Sequence, residues 1–194
     1  MHGSSVLLAL AIVPGVAAAQ TTTPTPGTTY TVVDYGTNQV GVMLGTDTSW
    51  SNDTPSFRVT LQSGHDVLGN DQFALGGNMP ITFVTEGHDE FGISTNNTAL
   101  EFPPSLRLRL WPNNTVRLYV EVGLGLLWLV TNESTDFYTN EDSDLGFMTR
   151  SALGLEIGKP SGFMLLVEPL GTRTYWMGDT YGRVGFMIGG GLRM

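Results

Sequence analysis

The sequence predicts an all-β chain folded as an eight-stranded antiparallel up-and-down transmembrane β-barrel. Three observations carry that prediction. Eight segments alternate apolar and polar side chains with a period of two, as strands with one apolar face must. After the first residues, no segment is spaced like an amphipathic helix or is long and apolar enough to cross a bilayer as one. Within the alternating segments, arginines and glycines gather on the face opposite the apolar one.

The chain has 194 residues, enough for one domain or one small closed barrel. It is 41% hydrophobic, which argues against disorder of the whole chain, and only 14% charged with 25 glycines. It contains no cysteine, which excludes a disulfide framework, a thiolate metal site, a cysteine nucleophile and a lipid-anchored cysteine. Residues 1–33 carry no charged side chain, and VLLALAIV (6–13) runs into Pro14, Gly15 and Val16-Ala17-Ala18-Ala19. A short apolar run ending in small residues predicts a secretory signal peptide over 1–19, cleaved before Gln20. The leader departs from the usual pattern because MHGSS has no Lys or Arg. QTTTPTPGTT then opens a Thr/Pro-rich tether, 20–37, too polar to pack and stiffened by Pro24 and Pro26.

The barrel is predicted over 38–194. Val40, Val42 and Leu44 alternate with Gly41, Met43 and Gly45, and Phe57, Val59 and Leu61 with Arg58, Thr60 and Gln62. Residues 72–85 form a less regular third strand, where Gly76-Gly77 and Pro80 predict a bulge. Leu106, Leu108 and Leu110 oppose Arg107 and Arg109, and Pro112-Asn113-Asn114 turns the chain into TVRLYVEVGLGLLWLV (115–130). There every even position from Val116 to Val130 is apolar, and Leu127 and Leu129 make both faces apolar at the end. Leu153, Leu155 and Ile157 oppose Arg150, Ala152, Gly154 and Glu156, before the turn Gly158-Lys159-Pro160-Ser161. Phe163, Leu165 and Val167 oppose Met164, Leu166 and Glu168, and YGRVGFMIGGGLRM closes the chain. Connections after the second, fourth and sixth strands belong to a short set. Those at 48–55, 86–103, 131–145 and 171–180 belong to a long set, the layout of a barrel whose chain enters and leaves on one side of a membrane.

Alternation alone does not say which face looks inward; charge does. Seven of the nine basic residues (Arg58, Arg107, Arg109, Arg117, Arg150, Arg183 and Arg193) lie in strands opposite the apolar stripe, with only Glu121, Glu156 and Glu168 among the acids. Facing lipid, each arginine near the midplane would cost about 2–4 kcal/mol, so a membrane barrel must turn them into its lumen. A soluble lipocalin-like barrel would turn them into water, and would carry a lysine-rich surface; this chain has one lysine, Lys159. Arginine's planar fork suits paired, enclosed contacts. The sequence therefore predicts a structural lumenal charge network of Arg107, Arg109, Arg117, Glu121, Arg150, Glu156, Glu168 and Arg183. Of the tryptophans, Trp50, Trp128 and Trp176 fall near the long connections; strict parity turns Trp111 and Trp176 inward, leaving Trp128 as an interface anchor.

With its leader, its eight alternating segments and its terminal strand, the sequence resembles the small eight-stranded outer-membrane barrels (OmpA/OmpX/OmpW-like). The resemblance implies a bacterial outer membrane location, contact with outer-membrane lipid and lipopolysaccharide, and handling by the barrel-assembly machinery. Members usually end on an aromatic residue; this chain ends on Met194. Because such barrels serve as anchors, adhesins, narrow conduits and lipid-modifying enzymes, the resemblance implies no single activity.

No cofactor, metal or catalytic residue is predicted. His65 and His88 (in GHDEF) read as solvated turn or loop histidines, and a lipid A-modifying hydrolase or acyltransferase needs His and Ser on neighbouring strand positions near lipid. The acidic stretch 131–146 places Asn140, Asp142 and Asp144 at alternate positions but lacks the glycine and final glutamate of a calcium loop. A net charge of −9 argues against nucleic acid. The expected role is a non-enzymatic, structural, adhesive or interaction barrel with acidic surface loops of unknown ligand; a lipid A-modifying enzyme, a narrow pore and a soluble ligand-binding barrel are the alternatives.

Overall fold

The alternating segments form nine strands: β1 (Asn38–Ser49), β2 (Pro55–Gly69), β3 (Phe73–Glu90), β4 (Ile93–Phe102), β5 (Ser105–Leu110), β6 (Val116–Ser134), β7 (Thr139–Gly158), β8 (Gly162–Met177) and β9 (Asp179–Arg193). The structure, a computed structural model, describes residues 37–49, 55–90, 93–135 and 138–194. The leader, the tether up to residue 36 and Trp50 lie outside the described residues. Strands β4 and β5 are two halves of one barrel strand, both lying between β3 and β6. Each strand is antiparallel to its neighbours and β9 pairs with β1, so an eight-stranded ring closes and leaves no strand edge along the barrel wall.

Register fixes the shape of that ring. From Asn38 the partners run through His65, Gly77, Leu106, Val122, Ser151, Thr172 and Val184 back to Thr48, ten residues further along the same strand. With ~3.3 Å per residue and ~4.8 Å between strands, that stagger tilts the strands by about 40°. An interior of this size is just wide enough for side chains to fill.

The two faces are inverted relative to a soluble protein. Leu124 is 64% and Val122 53% exposed, while Arg117 and Glu121 on the same strand are fully buried. A continuous apolar belt outside and charge inside fit a hydrocarbon surround and not water. Inside, Met43, Met164, Leu166 and Met187 pack together beside glycines 41, 189 and 191.

Four expectations need correction. The stretches read as long connections, 86–103, 131–145 and 171–180, are largely strand: β3 runs to Glu90, β6 to Ser134 and β8 to Met177. Where both faces of a hairpin are polar the apolar alternation fades, although backbone pairing continues, as in Thr131 opposite Asp142. Second, Trp176 faces outward, 40% exposed. The register shifts between Glu168 and Gly171, around Pro169, so one extra residue in β8 reverses parity beyond it. Third, Trp111 does not point inward but sits in the turn after β5 with φ 53° and 50% exposed. Fourth, the bulge beside Gly76 lies in β2, where Val67 is the extra residue between Asp66 and Leu68.

The β4–β5 interruption at Pro103-Pro104 explains the glycines of VGLGLL. A Cβ on Gly125 would come within 2.0 Å of the Phe102 carbonyl oxygen, and one on Gly123 within 3.0 Å of the Pro103 and Pro104 oxygens. Neither proline can donate to the ladder, and β6 moves in close to meet the kinked strand. Gly125→Val is therefore expected to destabilise the barrel by about 1–3 kcal/mol in urea titrations followed by gel mobility. Gly77→Ala, whose Cβ meets nothing within 4 Å, is expected to change stability by less than about 0.5 kcal/mol.

Candidate functional site: the lumen and its outer mouth

All eight arginines are buried, Arg183 the most exposed at 9%. At the end where β1 begins and β9 ends, Arg109 grips Glu156 through Nε and Nη2 at 2.8 Å each, a bidentate contact. Arg117 donates to the same carboxylate at 3.1 Å and to the Asn114 and Gly158 carbonyls. Arg109 also meets Asp66, which pairs with Arg193 at 3.0 Å. In the middle, Glu121 accepts from Arg107 Nε (2.8 Å), Ser105 (2.8 Å), Asn78 (2.9 Å) and Arg150. Arg107 lies 4.3 Å above the Tyr119 ring. A Cβ on Gly154 would sit 2.2 Å from that ring, so the glycine makes its seat.

Towards the opposite end Arg150 reaches Glu168, and Arg58 lies between Asp47 and Glu101, whose carboxylate also accepts from Tyr175 at 2.6 Å. Arg183 pairs with Asp47 at 3.1 Å and with Glu86. Seven of the expected eight members thus join directly: Arg107, Arg109, Arg117, Glu121, Arg150, Glu156 and Glu168. Arg183 stands apart and, among the described residues, connects to them through Arg173, which lies 3.6 Å from both Asp47 and Glu168. Arg173 was hidden inside the supposed connection 171–180.

Besides Glu121, Glu156 and Glu168, the acids Asp47, Asp66, Glu86 and Glu101 also sit in strands with side chains turned to the lumen. Parity carried the signal: Asp47 continues the row Gly41, Met43, Gly45, and Glu101 shares the parity of Arg107 and Arg109.

Above Glu101 the lumen turns apolar. Leu127, 1% exposed, packs with Val84, Ala99, Met148 and Tyr175, and Leu129 lies against them. That accounts for the two-sided apolar end of VGLGLLWLV: its odd positions cover the polar lumen while its even ones meet lipid. Beside this cluster lies a cavity of about 230 Å³, walled opposite the leucines by Tyr175, Tyr181 and Arg183.

The histidines stay outside these features. His65 is exposed, with Nδ1 3.0 Å from Asn38 Oδ1, and its cross-strand neighbours are Asn38 and Gly77. His88 is exposed on β3, a strand and not the expected loop, opposite Thr95. Asn140, Asp142 and Asp144 lie along β7 as strand residues, and no group of three metal-binding side chains occurs among the described residues.

Removing one acid leaves buried cations uncompensated. Glu156→Gln, which strips Arg109 and Arg117 of their shared partner, is expected to lower unfolding free energy by about 3–5 kcal/mol. Glu141→Gln, on the exposed hairpin, should shift it by under about 0.5 kcal/mol in the same titration.

Similar folds occur in known proteins. The family described as outer membrane protein beta-barrel domain matches residues 5–193. No curated protein matches the chain. Among solved structures, Ail, the attachment invasion locus protein of Yersinia pestis, in complex with the heparin analogue sucrose octasulfate, is similar with TM-score 0.51 and 15% identity, over 81% of this chain and 97% of that one. Neisserial surface protein A gives 0.52 and 12%, over 80% and 95%. The outer membrane enzyme PagL gives 0.56 and 13%, over 78% and 98%. With a family match spanning nearly the whole chain and a ring that buries its arginines beneath an apolar belt, the chain belongs to the outer membrane protein beta-barrel domain family and is a protein of the bacterial outer membrane.

Proposed function

We propose that this barrel is a non-enzymatic, non-conducting interaction protein, anchored in outer-membrane lipid and inserted by the barrel-assembly machinery. Its lumenal network of Arg107, Arg109, Arg117, Glu121, Arg150, Glu156, Glu168 and Arg183 acts as structural filling. The observation that carries the interaction role is a free strand edge. β7 pairs with β6 from Thr139 onward, but its pairing with β8 begins only at Phe147. Residues 139–145 therefore project beyond the barrel with one side of their backbone unpaired among the described residues. An unpaired edge accepts an added strand, with main-chain hydrogen bonds giving affinity and side chains selecting the partner.

The side chains on this edge select for positive charge. Glu141, Asp142 and Asp144 are exposed along it, and Glu133 lies on the paired strand. A polyanion of the kind bound by Ail suits this edge poorly; an extended basic segment suits it well. The non-enzymatic reading is supported by geometry at the histidines. His88 and Ser94 lie on opposite faces of the β3–β4 hairpin, and His65, which shares its face of β2 with Ser63 two positions away, has its Nδ1 3.0 Å from the Asn38 amide oxygen and not from a carboxylate.

The test uses the full chain in planar bilayers and lipid nanodiscs. No stepwise conductance is expected. A peptide alternating Lys and Val should bind and slow amide exchange across residues 139–145. The triple change Glu141→Gln, Asp142→Asn, Asp144→Asn should weaken it roughly tenfold. Channel openings, or amide exchange unchanged by the peptide, would contradict the proposal.

A further inference from the structure

The cavity at the outer mouth has a chemistry of its own. One wall is aliphatic, built from Val84, Ala99, Leu127 and Leu129. The facing wall is aromatic: Tyr175 and Tyr181 lie with ring centroids 5.0 Å apart and planes tilted by 30°. Its size, about 230 Å³, admits one ring or a short alkyl chain.

Charge at the cavity is uneven. The arginines nearby are committed: Arg183 to Asp47 and Glu86, and Arg58 to Asp47 and Glu101. Glu86 and Glu101 line the cavity as well, and both carboxylates are taken up in these pairs. Asp144 is exposed, opposite the wall residue Leu129, and Asp142 stands opposite Thr131 one step further out. Thr131 in turn donates to Asn97 Oδ1 at 2.9 Å, beside the cavity. A guest entering from outside therefore passes a row of carboxylates before it reaches the rings. Such a funnel concentrates cations and repels anions, and tyrosine faces favour a cation beside an apolar body.

We propose that this cavity binds small amphiphilic organic cations, an aryl- or alkylammonium whose hydrocarbon part lies between Leu127, Leu129 and the tyrosines. Its ammonium group points to Asp144 at the mouth, past the Arg183–Glu86 pair. The aliphatic wall gives affinity for the body, and the carboxylates select the sign of the head group.

Three matched probes separate these contributions: phenethylammonium, 2-phenylethanol and phenylacetate, titrated calorimetrically against the full barrel in nanodiscs. Phenethylammonium should saturate one site and bind roughly tenfold more tightly than either other probe, less so as salt rises. Asp144→Asn should reduce that preference, and Leu129→Trp should fill the cavity and remove binding while gel mobility confirms a folded barrel. Magnetisation transfer from the bound probe should reach the Tyr181 ring and the Leu129 methyls of the unmodified protein. Equal binding of 2-phenylethanol, tighter binding of phenylacetate, or contacts confined to lipid would overturn the proposal.

Discussion

The constraint on which this barrel depends is that its guanidinium groups have nowhere to go but inward. Lipid outside the ring makes an outward arginine costly, and the narrow ring holds too little water to solvate an inward one. The answer is a continuous chain of opposite charges. It runs from Arg193 through Asp66, Arg109, Glu156, Arg107, Glu121, Arg150, Glu168, Arg173, Asp47 and Arg183 to Glu86, with no link longer than 3.6 Å. Each charge between the two ends is compensated by at least two neighbours, so these members hold several strands in register at once.

That chain also decides where the other side chains can go. Glycine provides the volume: Gly154 seats the Tyr119 ring, and a Cβ on Gly171 would strike the Glu168 carboxylate at 2.3 Å. On the β1–β9 side the charges give way to methionines packed beside glycines. At the outer mouth they give way to the leucine and tyrosine cluster, which ends the polar lumen and leaves a small amphiphilic cavity. Filling the lumen and presenting a surface are thus divided between the lower barrel and the hairpins above it.

Much of this was legible in the sequence because period two is a strong signal wherever lipid meets one face. Val116 to Val130 could be assigned to lipid and Arg117 with Glu121 to the lumen from parity and charge alone. Legibility failed where that contrast disappears. The β3–β4 and β6–β7 hairpins are polar on both faces beyond the belt, so they read as loops, and Glu86 and Glu101 were lost with them. It failed again at Pro169, where one extra residue reversed parity and misplaced Trp176. Arg173 lies just past that bulge, and neither its parity nor its role as a link between two charge groups could be read without knowing the register.

The absence of cysteine in the chain gives a clean background for the most direct test of this arrangement. Single cysteines at Val122, on the outward belt, and Ala152, in the lumen between Arg150 and Glu156, would be labelled in the folded protein in lipid. A fluorophore at position 122 should be quenched by nitroxide-bearing lipid, while the thiol at 152 should stay unreactive towards a water-soluble maleimide until the barrel is unfolded. Rapid aqueous labelling at 152, or a fluorophore at 122 insensitive to lipid-borne quencher, would contradict a lumen closed by paired charges beneath a lipid-facing belt.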